Sequence, residues 1–136
     1  MLACPPPAVM SALRCFLVED SPTIRAELIA TLEEMLPLQV LGWADNEHDA
    51  LEWLEAPEHQ CDLILIDLFL KSGSGMGVLA TAGKKGAAAK RVVLSNYATV
   101  DIRRRCLAMG ADRVFDKSSE IDELVDYCRT IESSHS

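Results

Sequence analysis

No apolar run in this sequence approaches the roughly 20 residues that a helix needs to cross a bilayer, so a membrane span is not expected. Paired cysteines are missing as well. Cys4, Cys15, Cys61, Cys106 and Cys128 are odd in number and contain no CxxC pair, which excludes a disulfide framework or a zinc site and leaves small buried hydrophobes of a reducing compartment. Positive charge is scarce: 13 basic against 21 acidic side chains give a formal net charge of −8. A surface of that sign does not neutralise phosphates, and no direct DNA binding is expected. The three histidines, His48, His59 and His135, do not cluster, and the two tryptophans, Trp43 and Trp53, read as core or half-buried packing. The first dozen residues lack the basic and apolar regions of a signal peptide, and three successive prolines make residues 1–11 a disordered lead-in.

What is present suits one domain. The chain has 136 residues, 49% of them hydrophobic and 25% charged, close to the average for globular proteins. Its apolar pattern alternates between two periods. Leu13–Val18 reads as a strand, and Ser21-Pro22 then opens a helix with apolar residues at Ile24, Leu28 and Leu32 that Pro37 stops. Leu38–Trp43 is a second strand, followed by a helix capped by Asp45 or Asn46. Leu63–Ile66 is a third strand, apolar on both faces, followed by a glycine-rich loop over Lys71–Gly77 and a short helix near Val78–Ala82. Arg91–Leu94 is a fourth strand, and the helix after it starts at Thr99 or Asp101 and closes at Gly110. Val114–Asp116 is a fifth strand, and Ser118 or Ser119 caps a last helix through Ile131. Residues 133–136 are read as a disordered polar tail. Strict strand–helix alternation predicts an α/β domain over residues 12–132: a doubly wound, five-stranded parallel sheet with helices on both faces and ligands at the carboxyl ends of the strands.

The residues just past each strand therefore carry the functional argument. They are Glu19 and Asp20 after the first, Asp67 after the third, Ser95 after the fourth and Lys117 after the fifth. Two carboxylates about 4 Å apart repel by roughly 4 kcal/mol at an effective dielectric near 20. Either one of them keeps a proton or a cation sits among them. Oxygen ligands alone suit a hard cation, and Mg²⁺, which keeps several waters, fits best. A cation, the Lys117 ammonium and the Ser95 hydroxyl around one carboxylate are what a phosphoryl group on that carboxylate requires.

Val18-Glu19-Asp20-Ser21, Leu63-Ile64-Leu65-Ile66-Asp67-Leu68, Gly73-Ser74-Gly75, Val92-Val93-Leu94-Ser95 and Gly110-Ala111-Asp112 running on to Lys117 together resemble the receiver domains of two-component response regulators. The resemblance implies the flavodoxin-like strand order 2-1-3-4-5. It implies that Asp67 accepts a phosphoryl group from a phosphohistidine, and that Asp20 binds Mg²⁺ directly. Glu19 would act mainly through metal-bound water, and the backbone carbonyl of Phe69 would add a ligand. Ser95 and Lys117 would contact the phosphoryl group. Three positions depart from the family: Val114 in place of an aromatic that moves inward on activation, Ser118 in place of a proline, and Lys71 in place of a frequent proline. With valine at 114, the moving element is expected to be the loop after the fourth strand and the helix bearing Arg103–Arg105. Phe69 and Tyr97, two residues beyond Asp67 and Ser95, should crowd the water that hydrolyses the acyl phosphate.

The expected function is a stand-alone, cytoplasmic receiver with slow autodephosphorylation, not a turnover enzyme. Its expected partners are a histidine kinase or histidine phosphotransfer protein, and an output protein bound by the fourth helix, fifth strand and fifth helix. It is expected to be a monomer or weak homodimer. The rivals are a Mg²⁺-dependent phosphatase using Asp67, a flavodoxin-like cofactor protein and an unphosphorylated interaction module. Phe69 occupies the place where the phosphatase pattern wants a second acid, and Val78 stands where a GxGxxG loop beginning at Gly73 would need its last glycine.

Overall fold

The computed structural model describes residues 12–56, 59–70, 72–84 and 89–135. The expected lead-in and Lys71 lie outside them. Strands and helices alternate throughout: β1 (Leu13–Val18), α1 (Pro22–Met35), β2 (Leu38–Ala44), α2 (Glu47–Glu55), β3 (Leu63–Asp67), α3 (Gly75–Lys84), β4 (Lys90–Ser95), α4 (Val100–Ala108), β5 (Arg113–Asp116) and α5 (Ile121–His135). The strands form one parallel sheet in the order β2-β1-β3-β4-β5. Among the described residues no helix is long and apolar enough to cross a membrane.

Alternation along each strand divides the apolar side chains between two cores. Cys15, Leu17, Leu63, Leu65, Val92, Leu94 and Phe115 pack with Leu28 and Leu32 of α1 and Leu124, Val125 and Cys128 of α5. Phe16, Val18, Ile64, Ile66, Val93 and Val114 face the other way, onto Ala50 of α2, Val78 and Leu79 of α3 and Cys106 of α4. Val114 and Phe115 thus lie on opposite faces of β5, as their adjacency requires. Trp53 is a packing residue: its ring stacks between Phe16, 4.0 Å away, and His59, 4.2 Å away. Trp43 is exposed on the edge strand, with the Arg25 guanidinium 3.6 Å over its ring. That edge is blunted. The β1–β2 register shifts opposite Leu41, and Glu33 Oε2 accepts from the Val40 amide at 3.0 Å.

The helix boundaries follow side-chain chemistry. Ser21 Oγ accepts from Ile24 N, Asn46 Oδ1 from Asp49 N and Thr99 Oγ1 from Ile102 N, so each residue caps the helix it precedes. Gly110, at φ +107°, ends α4: its amide bonds Leu107 O and the Ala111 amide bonds Cys106 O, a pair that closes the helix through a left-handed residue. Three expectations are corrected. Gly75-Met76-Gly77, read as loop, is the first turn of α3, because the Ser74 hydroxyl accepts from Met76 N. Ser118 and Ser119 do not cap α5; both amides and the Ser118 hydroxyl donate to Asp116 Oδ1. The last helix continues past Ile131 through Ser133 and Ser134 to His135, which removes most of the expected disordered tail.

Gly75 carries a requirement that Gly83, at the other end of α3, does not. A Cβ there would lie 2.1 Å from the main-chain oxygen of Asp67, whereas one on Gly83 would meet nothing nearer than Met109 O at 3.8 Å. Gly75→Ala is expected to destabilise the fold by about 1–3 kcal/mol, as overpacking against backbone does. Gly83→Ala is expected to stabilise it by up to about 1 kcal/mol through lower unfolded-state entropy. Urea midpoints at constant m-value check both, and equal responses would show that the Gly75 contact is not restrictive.

Candidate functional site

Parallel strands end at one edge of the sheet, and there the chain gathers its buried polar groups. Among the described residues, Glu19, Asp67 and Ser95 are the polar side chains classed with the core, at 1%, 6% and 0% exposure. Glu19 follows β1, whose neighbours are β2 and β3. Its amide donates to Ala44 O, its Oε2 accepts from Ser21 N at 3.1 Å, and its main-chain oxygen accepts from Arg25 at 3.1 Å. Asp67 ends the central strand β3. Its Oδ1 accepts from Phe69 N at 3.3 Å and its Oδ2 from Lys117 Nζ at 3.1 Å. Lys117, just past β5, is held by its own amide on Ser95 O, and its ammonium lies 2.5 Å from Glu19 Oε1.

One oxygen each from Glu19, Asp20 and Asp67 lie within 4.8 Å of one another. The acidic triad read from the sequence is therefore brought together, with Lys117 against two of its members. Glu19 Oε1 is buried against the Lys117 ammonium. Three converging carboxylates that offer oxygen donors alone fit a hard divalent cation such as Mg²⁺. Ser95 Oγ accepts from Tyr97 N at 3.0 Å, which leaves the hydroxyl hydrogen for another acceptor.

The electrostatics follow from burial against charge. Burial raises the Asp67 carboxyl, and the nearby Glu19 charge adds to the rise. The Lys117 charge and hydrogen bond oppose it, and the pKa settles at about 6. For Lys117 burial acts downward but is outweighed by the Glu19 hydrogen bond and the Asp67 charge, so the ammonium titrates above its usual range.

Two residues that shape the site were not singled out from the sequence. Glu47 reaches from α2 across to the loop after β3. Its Oε1 accepts from Ser74 N at 2.8 Å, its amide donates to Ser72 O, and its side chain fills the space beside Gly73 and Gly77. Gly73, at φ +83°, could not be replaced without strain. Glu47 looked like an ordinary first-turn acid, and only its distance from residue 74 in space shows otherwise. Arg103 was expected only as one of three arginines on the helix after the fourth strand. It is half-buried and engaged, while Arg104 and Arg105 are exposed.

The raised carboxyl gives a signed prediction for the metal-free protein. The folded state holds a proton up to pH 6 or so that the unfolded chain loses near 3.8, so stability falls as pH rises through that window. Asp67→Asn, which mimics the neutral form, is expected to stabilise the fold at pH 7.5 in EDTA by about 1–3 kcal/mol, with the gain shrinking toward pH 4.5. Thermal melts at both pH values check this; a gain of equal size at both, or a loss at pH 7.5, contradicts it.

A family model described as the response regulator receiver domain matches residues 15–129. YvfU of Bacillus subtilis, an uncharacterized transcriptional regulatory protein, is 29% identical over 117 residues, 86% of this chain and 58% of that one. A probable transcriptional regulatory protein of Picosynechococcus is 31% identical over 123 residues, 87% of this chain and 48% of that one. A DNA-binding response regulator of the LuxR family from Staphylococcus aureus superposes with a TM-score of 0.79 at 20% identity, over 88% of this chain and 98% of that one. The chain spans about half the length of the curated relatives it matches.

These relatives correct the expected partner set. No direct DNA binding was inferred from net charge, with output through partner binding or dimerisation. The relatives are described as transcriptional regulators and include a DNA-binding one. The charge of −8 describes these 136 residues only and does not report on what a regulator of twice the length binds. The family match nevertheless spans most of the chain, which belongs to the receiver domains of two-component response regulators.

Proposed function

We propose that Asp67 is the phosphoacceptor of this receiver and that its donor is the phosphohistidine of a histidine kinase or phosphotransfer protein. The observation that carries the reading is the strand-end cluster in which Asp67 Oδ2 meets Lys117 Nζ at 3.1 Å beside Glu19 and Asp20. In the transfer, an Asp67 carboxylate oxygen attacks phosphorus, the P–O bond forms as the histidine P–N bond breaks, and the imidazole leaves with the electron pair. The acyl phosphate that results adds negative charge where three carboxylates already converge. Lys117 supplies one positive charge to it, and the Ser95 hydroxyl can donate to a phosphoryl oxygen while still accepting from Tyr97 N.

Glu19, Asp20 and Asp67, with the Phe69 carbonyl, are the groups that would hold Mg²⁺. When bound, the ion offsets the negative charge gathered on the acids and the phosphoryl oxygens. The chain's own contribution is to hold the acceptor carboxylate buried and oriented by Phe69 N and Lys117. It acts as a stoichiometric acceptor. The four described cysteines are free, in keeping with action in the reducing cytoplasm.

Intact-mass spectrometry after incubation with acetyl phosphate and Mg²⁺ tests the assignment. A single phosphoryl adduct, absent from Asp67→Asn, is expected. Donor turnover without an adduct would instead indicate the phosphatase reading.

The lifetime of that adduct follows from two exposed rings. Phe69 and Tyr97 are 54% and 66% exposed and meet edge to face at 5.7 Å, from the loops that follow Asp67 and Ser95. They occupy space that an attacking water would use and offer no carboxylate or carboxamide to orient it. Phe69→Asn with Tyr97→Glu is expected to speed loss of the phosphoryl group by about tenfold, or ~1.4 kcal/mol in the barrier. Decay of the mass adduct over time measures this, and an unchanged or slower rate would sink the idea.

A further inference from the structure

Arg103 makes an unusual set of contacts for a residue in a run of three arginines. Its Nε donates to Ala98 O at 2.9 Å, one terminal nitrogen to Val114 O at 2.9 Å and the other to Glu120 Oε1 at 2.7 Å. Those three acceptors belong to three separate segments: the loop after β4, strand β5 and the turn before α5. Glu120 Oε1 also accepts from Asp116 N at 2.8 Å, one residue before Lys117. Its neighbours differ. Arg104 is exposed, and Arg105 is exposed with Asp101 3.9 Å away.

We infer that Arg103 is the positioning residue that makes the Ser95 loop and the segment carrying Lys117 move as one when Asp67 is phosphorylated. The inference rests on the reading of Asp67 as phosphoacceptor. The loop after β4 is anchored near its start by Ser95 Oγ, which accepts from Tyr97 N. Moving that hydroxyl toward a phosphoryl oxygen on Asp67 carries the bonded Tyr97 amide with it and shifts residues 96–98. Ala98 O is among them, and the Arg103 fork is held there. A guanidinium is planar, with its donors in a fixed fork. A shift of one acceptor therefore either drags the others or breaks a charge-assisted hydrogen bond. Val114, whose side chain is too short to follow such a movement, is gripped instead through its main-chain carbonyl. Coupling through backbone acceptors thus stands in for side-chain repacking at that position.

The test uses the full 136-residue chain and compares amide chemical shifts with and without Mg²⁺ and beryllofluoride, whose beryllium trifluoride stands in for the phosphoryl group on Asp67. In the wild-type chain, shifts over residues 112–122 are expected to match those over 95–103. In Arg103→Gln, shifts at 67–70 and 95–98 are expected to persist, while those at 112–122 fall by about threefold or more. Arg104→Gln is expected to leave the wild-type pattern unchanged. Should Arg103→Gln fail to fold, Glu120→Gln decides the same question, since it removes the charge at one end of the fork and leaves both carbonyl bonds. A wild-type pattern in a folded Arg103→Gln overturns the inference alone. No shift anywhere near Asp67 in the wild-type chain overturns the phosphoacceptor reading and this inference with it.

Discussion

A single ammonium group holds this site together. Lys117 Nζ sits between Glu19 Oε1 and Asp67 Oδ2 at 2.5 and 3.1 Å, and all three side chains are buried. Buried carboxylates survive only with partners, and removing one partner from a buried pair costs about 3–5 kcal/mol. Glu19 and Asp67 share that ammonium, and Asp20 lies beside them. Burial is also the main cause of the raised Asp67 carboxyl, and a cluster of oxygen donors alone could hold a hard divalent cation. The parallel sheet makes the arrangement possible. Only parallel strands bring residues 19, 67, 95 and 117, far apart in sequence, to one edge with dry walls beneath them.

The two loops that frame Asp67 are held in different ways. The loop after β3 is pinned from α2 by Glu47, and Gly73 and Gly75 let the backbone pass within contact of Glu47 and of Asp67's own carbonyl. Every one of these restraints is short, and none involves a group that would touch a phosphoryl oxygen. The loop after β4 depends on the Ser95 hydroxyl and the Arg103 guanidinium. Ser95 can donate its hydroxyl hydrogen when a new acceptor appears and still accept from Tyr97 N. The loop after β3 is thus held by close packing against Glu47, and the loop after β4 by two polar side chains.

How far the sequence reveals this depends on the range of the interaction. The strands were legible because apolar alternation and continuous apolar runs are local, and the site followed because strand ends in a parallel sheet share an edge. Asp67, Glu19, Asp20 and Lys117 are therefore together as expected, while Ser95 is buried at the same edge. Asn46 and Thr99 were legible as caps, with Asp45 and Asp101 as equal candidates, since a cap is decided by backbone direction that composition does not carry. The start of α3 was hidden by three glycines. Their composition reads as loop, yet Gly75 is glycine because the Asp67 carbonyl lies beside it. Glu47 and Arg103 were illegible for the same reason: Glu47 meets Ser74 across 27 residues, Arg103 meets Val114 and Glu120 across 11 and 17, and their partners are mostly backbone atoms. Net charge misled about DNA because it sums over a segment, whereas binding belongs to whichever part of a protein carries the cationic surface.

Valine at 114 sets a limit on how such a receiver can respond. A ligand moves a conformational equilibrium only by its differential interaction with the two states. An aromatic that exchanges a solvent-facing position for a buried one differs between states by much apolar area. Val114 is already buried, and Phe115, on the other face of β5, is committed to the core with α1 and α5, where Tyr127 and Arg113 lie against it. Burying either side chain further would gain little apolar area. What remains free to differ is hydrogen bonding at the surface of the β4–β5 half: the Ser95 hydroxyl, the Ala98 and Val114 carbonyls and the Glu120 carboxylate. Exchanges of that kind are each small in net free energy, about 0.5–1.5 kcal/mol for neutral pairs and about 1.5–3 where a charge takes part. The charged members, Arg103 and Glu120, therefore carry most of whatever difference in energy separates the two states.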